Sequence, residues 1–193
     1  MTRDAVSLIK ADHRVLERLF EQVKQADPKQ RASLVHEVEA RLNAHSRAEE
    51  EHVYPALIAA DPDERGEVHH GAEEHLEAEE LLTKAKESTL NFSGKFQKFV
   101  DAVQHHIEEE ETDLLPALRK AVSADELKRL GEQFDKARRQ HLAEAGITAE
   151  VPAQGETSGE PTKEELYEQA KAADIPGRSS MTKDQLAEAV RKA

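Results

Sequence analysis

Apolar residues recur at three- and four-residue intervals through most of this chain, the period of helices that bury one stripe. Val6, Ile9, Leu16, Leu19, Phe20 and Val23 predict a first helix over residues 4–26. Asp27-Pro28 caps and opens a second, with proline at a first position where its missing donor costs nothing. That helix carries Leu34, Val38, Leu42, Val53 and Leu57 and is expected to end near residue 60. Asp61-Pro62 repeats the start signal for a third helix, running through Leu82 to about residue 87. A turn over 88–93 precedes a fourth helix bearing Phe96, Phe99, Val103, Leu114 and Leu118. Ser123 and Glu126 form a capping box that opens a fifth, shorter helix with Leu127, Leu130 and Phe134. Period-two alternation is almost absent. Short connections between four long helices make neighbours antiparallel, so the expected fold is all-α: an up-down-up-down four-helix bundle with an additional fifth helix.

Residues 1–144 would form that bundle. Over 145–161 the periodicity stops and Gly, Pro, Thr, Glu and Ser take over, the composition of a flexible linker. Residues 162–193 return to helical patterning, with capping boxes at Thr162 to Glu165 and Thr182 to Gln185 framing two short helices around an extended 175–181 segment. About thirty residues bury little, so this unit is marginal by itself.

Four histidines interrupt the apolar stripes, one per bundle helix. His13 lies between Ile9 and Leu16, and His75 in the stripe of Val68, Ala72 and Leu82. His45 and His106 head two copies of one pattern, H-x3-E-E-x4-P, 61 residues apart, which includes Glu49 and Pro55 in one copy and Glu110 and Pro116 in the other. A spacing of four puts imidazole and carboxylate on one helical face, and here that face is the apolar one. All four histidines lie about 14 to 17 residues from the turns near 27, 61 and 90, so at roughly 1.5 Å per residue they reach one level of the bundle. Two inward carboxylates would repel each other and shift toward protonation unless a cation met them. Four imidazole nitrogens and two bridging carboxylates, His13, His45, Glu49, His75, His106 and Glu110, are donors for two ions, completed by an oxo or hydroxo bridge. With no sulfur available, nitrogen and carboxylate suit iron ahead of manganese or zinc.

These residues carry a resemblance to the hemerythrin-like, or HHE cation-binding, domains over residues 1–122, with H…HxxxE…H…HxxxE and both trailing prolines present. The family's ligand positions fall on the six residues just named. The resemblance implies a carboxylate-bridged non-haem di-iron centre and chemistry with dioxygen, nitric oxide or peroxide. Oxygen-carrying hemerythrins have a further histidine one turn from the third-helix ligand, whereas positions 71 and 79 here are Gly and Glu, which argues against reversible oxygen carriage. Tyr54, Glu79 and His52 are the nearby substitutes, although Tyr54 reads first as a packing residue. A ferritin-like alternative on Glu49-x-x-His52 and Glu67-x-x-His70 lacks a carboxylate on the first helix other than Asp4. His69, His105 and His141 are expected to face solvent, as is the run 108–111 apart from Glu110. The 166–190 segment is similar to Rho N-terminal and SAP-type modules, which implies a weak protein or nucleic-acid contact.

Charged residues make up 35% of the chain, aromatics 4%, and the net charge of −13 opposes any chain-wide phosphate- or membrane-binding surface. The absence of cysteine removes disulfides, thiolate metal sites and thiol catalysis, and fits a reducing compartment. The first 13 residues lack a signal-peptide apolar core and no run is long enough to span a bilayer, so a cytoplasmic location is expected. The expected function is a di-iron protein that reacts with hydrogen peroxide in a catalase-like way, and with O2 or NO, in the oxidative and nitrosative stress response. The alternative is a non-enzymatic O2, NO or iron sensor.

Overall fold

The computed structural model describes residues 4–88 and 90–149, together with the isolated residues Gln185 and Ala189. The chain divides into two units, Met1–Val151 and Pro152–Ala193. The expected helix-extended-helix unit, and the linker beyond residue 149, lie outside the described residues.

The first unit is all-helical, and each helix starts where a local cap dictates. Helix α1, Ala5–Gln25, opens on Asp4, whose carboxylate accepts from the Ser7 amide. Asp27 accepts from the Lys29 and Gln30 amides and Pro28 takes the first position of α2, Pro28–Ala48. This rod continues without a break through a π-helical turn, Glu49–Val53, into α3, Tyr54–Ala60. Asp61 then caps a short 3-10 turn, Pro62–Glu64, leading into α4, Arg65–Lys86. Helix α5, Phe92–Glu109, starts on Asn91 rather than after Ser93, because the Asn91 side chain accepts the Gly94 amide. It likewise runs through a π-helical turn, Glu110–Leu114, into α6, Leu115–Ala121. Ser123 accepts the Glu126 amide to open α7, Ala124–Glu144.

The fifth helix departs from expectation. At 21 residues α7 is as long as α1, and it packs against both α1 and α2. Its apolar stripe continues past Phe134 through Ala137 to Leu142. Beyond its end, Ile147 and Ala149 still lie against Ala40, Ala44 and Leu142, so contact with α2 extends to residue 149.

Two apolar clusters fill the interior. One gathers Leu16, Phe20, Val38, Phe96, Phe99 and Val103 toward the end of the bundle that holds the 26–27 turn. The other gathers Ile9, Tyr54, Leu57, Leu115, Leu118 and Phe134 toward the opposite end. His13, His45, His75 and His106 fall between the two, so the polar level predicted from the stripes is sealed above and below by hydrocarbon. Among the described residues no helix is long and apolar enough to cross a membrane.

Candidate metal centre

The four histidines and two glutamates converge. His13 and Glu49 are fully buried, and His45, His75, His106 and Glu110 nearly so. Donor atoms of His13, His45, Glu49 and Glu110 lie within 4.8 Å of one another, as do those of Glu49, His75 and His106. Glu49 belongs to both groups: its Oε1 is 3.3 Å from His45 Nε2 and its Oε2 is 3.5 Å from His75 Nε2. Glu110 Oε2 lies 3.1 Å from His13 Nε2. Each Nε2 is turned inward.

What turns them inward is a ring of carboxylates facing each Nδ1. His13 Nδ1 meets Glu111 at 2.8 Å, His75 Nδ1 meets Glu50 at 2.9 Å and His106 Nδ1 meets Glu74 at 2.9 Å. His45 Nδ1 faces Asp12 at 3.6 Å, a looser contact because Asp12 also accepts from Arg138 of α7 at 2.6 Å. An ionised carboxylate only accepts, so at His75 and His106 Nδ1 is the donor and Nε2 presents a lone pair, the tautomer in which imidazole binds metals, whereas His13 meets a carboxylate at each nitrogen and, despite its burial, is held toward its protonated form by Glu110 and Glu111. His75 and His106 then aim two lone pairs at each other across 3.1 Å. A shared proton or a cation relieves that repulsion.

The sequence reading missed these four carboxylates. Their signal was nevertheless regular: Asp12 and Glu74 each precede the histidine of α1 or α4, and Glu50 and Glu111 are the second acids of the two repeated patterns. The run 108–111 is therefore not a solvated face apart from Glu110, since Glu111 also turns to the site and is joined there by Lys10 and Arg14. His141 is also corrected. Its side chain is only 15% exposed, contacting Glu51 at 2.9 Å, while His69 and His105 face solvent as expected. Glu67 and His70 are exposed and point away from the centre, which removes the ferritin-like arrangement.

Of the substitutes for a further donor, Glu79 is exposed and His52 lies beside Glu51 at the surface. Tyr54 is buried, with its ring stacked on His75 at 5.8 Å between centroids. An uninterrupted α-helix would turn it elsewhere. Pro55 has no amide to give the Glu51 carbonyl and its ring crowds that turn, so the helix widens and the Tyr54 amide bonds back to Glu49. Pro116 does the same in the second copy, where the Leu115 amide bonds back to Glu110. The copies differ at this residue, Tyr54 against Leu115, and Gly71 makes room for the phenol: a Cβ there would stand 2.9 Å from the Tyr54 hydroxyl.

The charge balance marks this as a cation site. Burial and the Glu110 charge push Glu49 well above the carboxylate range. Glu110 is also driven up by burial, but the adjacent His13 and the surrounding imidazoles hold it at about 2. Burial takes His45 down to about 4 and pushes the Tyr54 phenol well up. Among the described residues, eleven buried side-chain nitrogen or oxygen atoms have no hydrogen-bond partner. Eight of them sit on His13, His45, Glu49, Glu110 and Tyr54. Orphaned polar atoms each cost about 1–3 kcal/mol, so so many at one level are tolerable only if something ligates them. Nitrogen and carboxylate donors without sulfur fit a divalent or trivalent transition metal.

Comparison with known proteins agrees with this geometry. A "DNA nickase" of Nostoc sp. (strain PCC 7120 / SAG 25.82 / UTEX 2576) is 27% identical over 135 residues, covering 68% of this chain and 38% of that protein, so the chain spans well under half the relative's length. The crystal structure of a hemerythrin HHE cation binding domain-containing protein from Mycobacterium kansasii, a Rv2633c homolog, superposes with a TM-score of 0.66 at 21% identity, covering 97% of this chain and 99% of that one. It shares the helical fold. A family model, the hemerythrin HHE cation binding domain, matches residues 4–118, the span that contributes every inward histidine and glutamate, and the chain belongs to that family.

Proposed function

We propose that this protein holds two iron ions and disproportionates hydrogen peroxide, one molecule being oxidised to dioxygen while a second is reduced to two waters. His13, His45 and Glu110 would hold one ion and His75 and His106 the other, with Glu49 between them and Glu110 as the second bridging carboxylate. The observation that carries this reading is that the inward donors fall into two groups sharing Glu49, one with His13, His45 and Glu110 and the other with His75 and His106, which together suit two ions better than one. Iron suits the donor set and supplies the redox change that the reaction needs. Tyr54, whose buried hydroxyl has no partner, is the further donor in place of the histidine that oxygen carriers use.

The chain's own contribution is positioning. Glu111, Glu50 and Glu74 fix the imidazoles through Nδ1, and the flanking apolar clusters keep bulk water from the donors. A surface groove is bordered by Glu50 and Tyr54, which both contact His75, and by Pro55, Ile58, Val68 and Ala72, and would be the approach for a small ligand such as peroxide, O2 or NO. We assign the protein to the stress response of a reducing cytoplasm, in keeping with its lack of cysteine.

Mixing iron-loaded protein with hydrogen peroxide tests the reading. Sustained oxygen evolution that is lost in Glu49→Gln is the expected result. A single spectral change without turnover would overturn it in favour of a sensor or reversible binder.

A further inference from the structure

The spacing that builds the buried centre recurs on the outside of the bundle. His70 and Glu74 on α4, and His105 and Glu109 on α5, are two H-x3-E pairs on neighbouring helices. Donor atoms of His70, Glu74 and Glu109 lie within 4.8 Å of one another.

The separations at His70 leave room for an ion among three donors. His70 Nε2 is 3.4 Å from Glu109 Oε2 and 3.8 Å from Glu74 Oε1, too long for the hydrogen bonds it would form if it were simply a donor to either. Ligands about 2.0–2.1 Å from a tetrahedral ion stand roughly 3.3 Å apart, close to what these atoms already show. The donors are also fixed from behind. Glu74 gives its other oxygen to His106 Nδ1 at 2.9 Å and keeps only 11% side-chain exposure, and the other oxygen of Glu109 lies 3.2 Å from His105 Nε2. Glu74 and Glu109 therefore present one free oxygen each toward His70, and the chain's net negative charge favours a cation there.

We propose that His70, Glu74 and Glu109 form a second, surface site for a divalent transition cation of the zinc class, with His105 orienting Glu109 and solvent completing the coordination. The site stands apart from the buried donors but shares Glu74 with them: the carboxylate that steers His106 inward also faces the surface ion.

Equilibrium dialysis of iron-loaded protein against zinc, with iron and zinc counted separately, tests this. Wild type should carry about one zinc ion per chain more than His70→Gln, and His105→Gln should bind zinc more weakly than wild type. Among the described residues the neighbouring His69 pairs only with Glu73 on its own helix, so His69→Gln should match wild type. Equal zinc in wild type and His70→Gln would overturn the site, as would a loss in His69→Gln as large as in His70→Gln. Failure of the buried centre would show as missing iron, with the zinc difference intact.

Discussion

Tyr54 and Gly71 form a matched pair, and the match can be measured. A Cβ at position 71 would sit 2.9 Å from the Tyr54 hydroxyl, an overlap that costs about 1–3 kcal/mol in a packed interior. Alanine also gains about 1 kcal/mol of helix propensity over glycine, so the net sign of Gly71→Ala alone is uninformative. A double-mutant cycle removes that term. Gly71→Ala should be less favourable in the wild type than in Tyr54→Phe, as read by denaturant midpoints, and equal effects in both backgrounds would mean that the phenol does not occupy that space. The carboxylates behind the histidines give a second prediction. Glu50→Gln and Glu111→Gln should leave helicity unchanged while weakening metal binding by about 10- to 100-fold, as judged by competition with a chelator. The inward histidines were legible because each breaks an apolar stripe. Their supporting acids were harder to read, because Glu50, Glu74 and Glu111 sit among other acids, and only their regular offset from the histidines and glutamates separates them from a solvated face such as Glu73.

At the scale of elements, the helix starts were readable because they are local events: Asp27-Pro28, Asp61-Pro62 and Ser123 with Glu126 each satisfy their own amides. The π-helical turns were not, since one extra residue per turn leaves no periodic trace, and only the prolines at 55 and 116 hint at them. The length of α7 was underestimated because Arg138 breaks its apolar pattern, yet Arg138 is buried and paired with Asp12 and Asp135. This helix backs the centre. Phe134 is fully buried, with its ring 5.7 Å from that of His45. Phe134→Ala should cost about 3–5 kcal/mol, and it should loosen metal at His45 as well as lower the unfolding midpoint. A stability loss with unchanged metal affinity would confine α7 to a scaffold role.

For the whole molecule, the decisive feature is that the two apolar clusters enclose a level of polar donors that do not satisfy one another. Without a cation Glu49 must stay protonated beside Glu110, and the lone pairs of His75 and His106 face each other. Metal that binds only the folded chain adds about 2.7 kcal/mol when present at a hundredfold over its Kd. Chelation should therefore lower the melting temperature by several degrees while leaving the helices formed at 25 °C, and an unchanged melting curve would mean that the donors are content without an ion. The central claim is tested most directly by counting iron in purified protein by elemental analysis. The account predicts about two iron ions per chain. A count of one or none, after loading under conditions where the protein is folded, would contradict it.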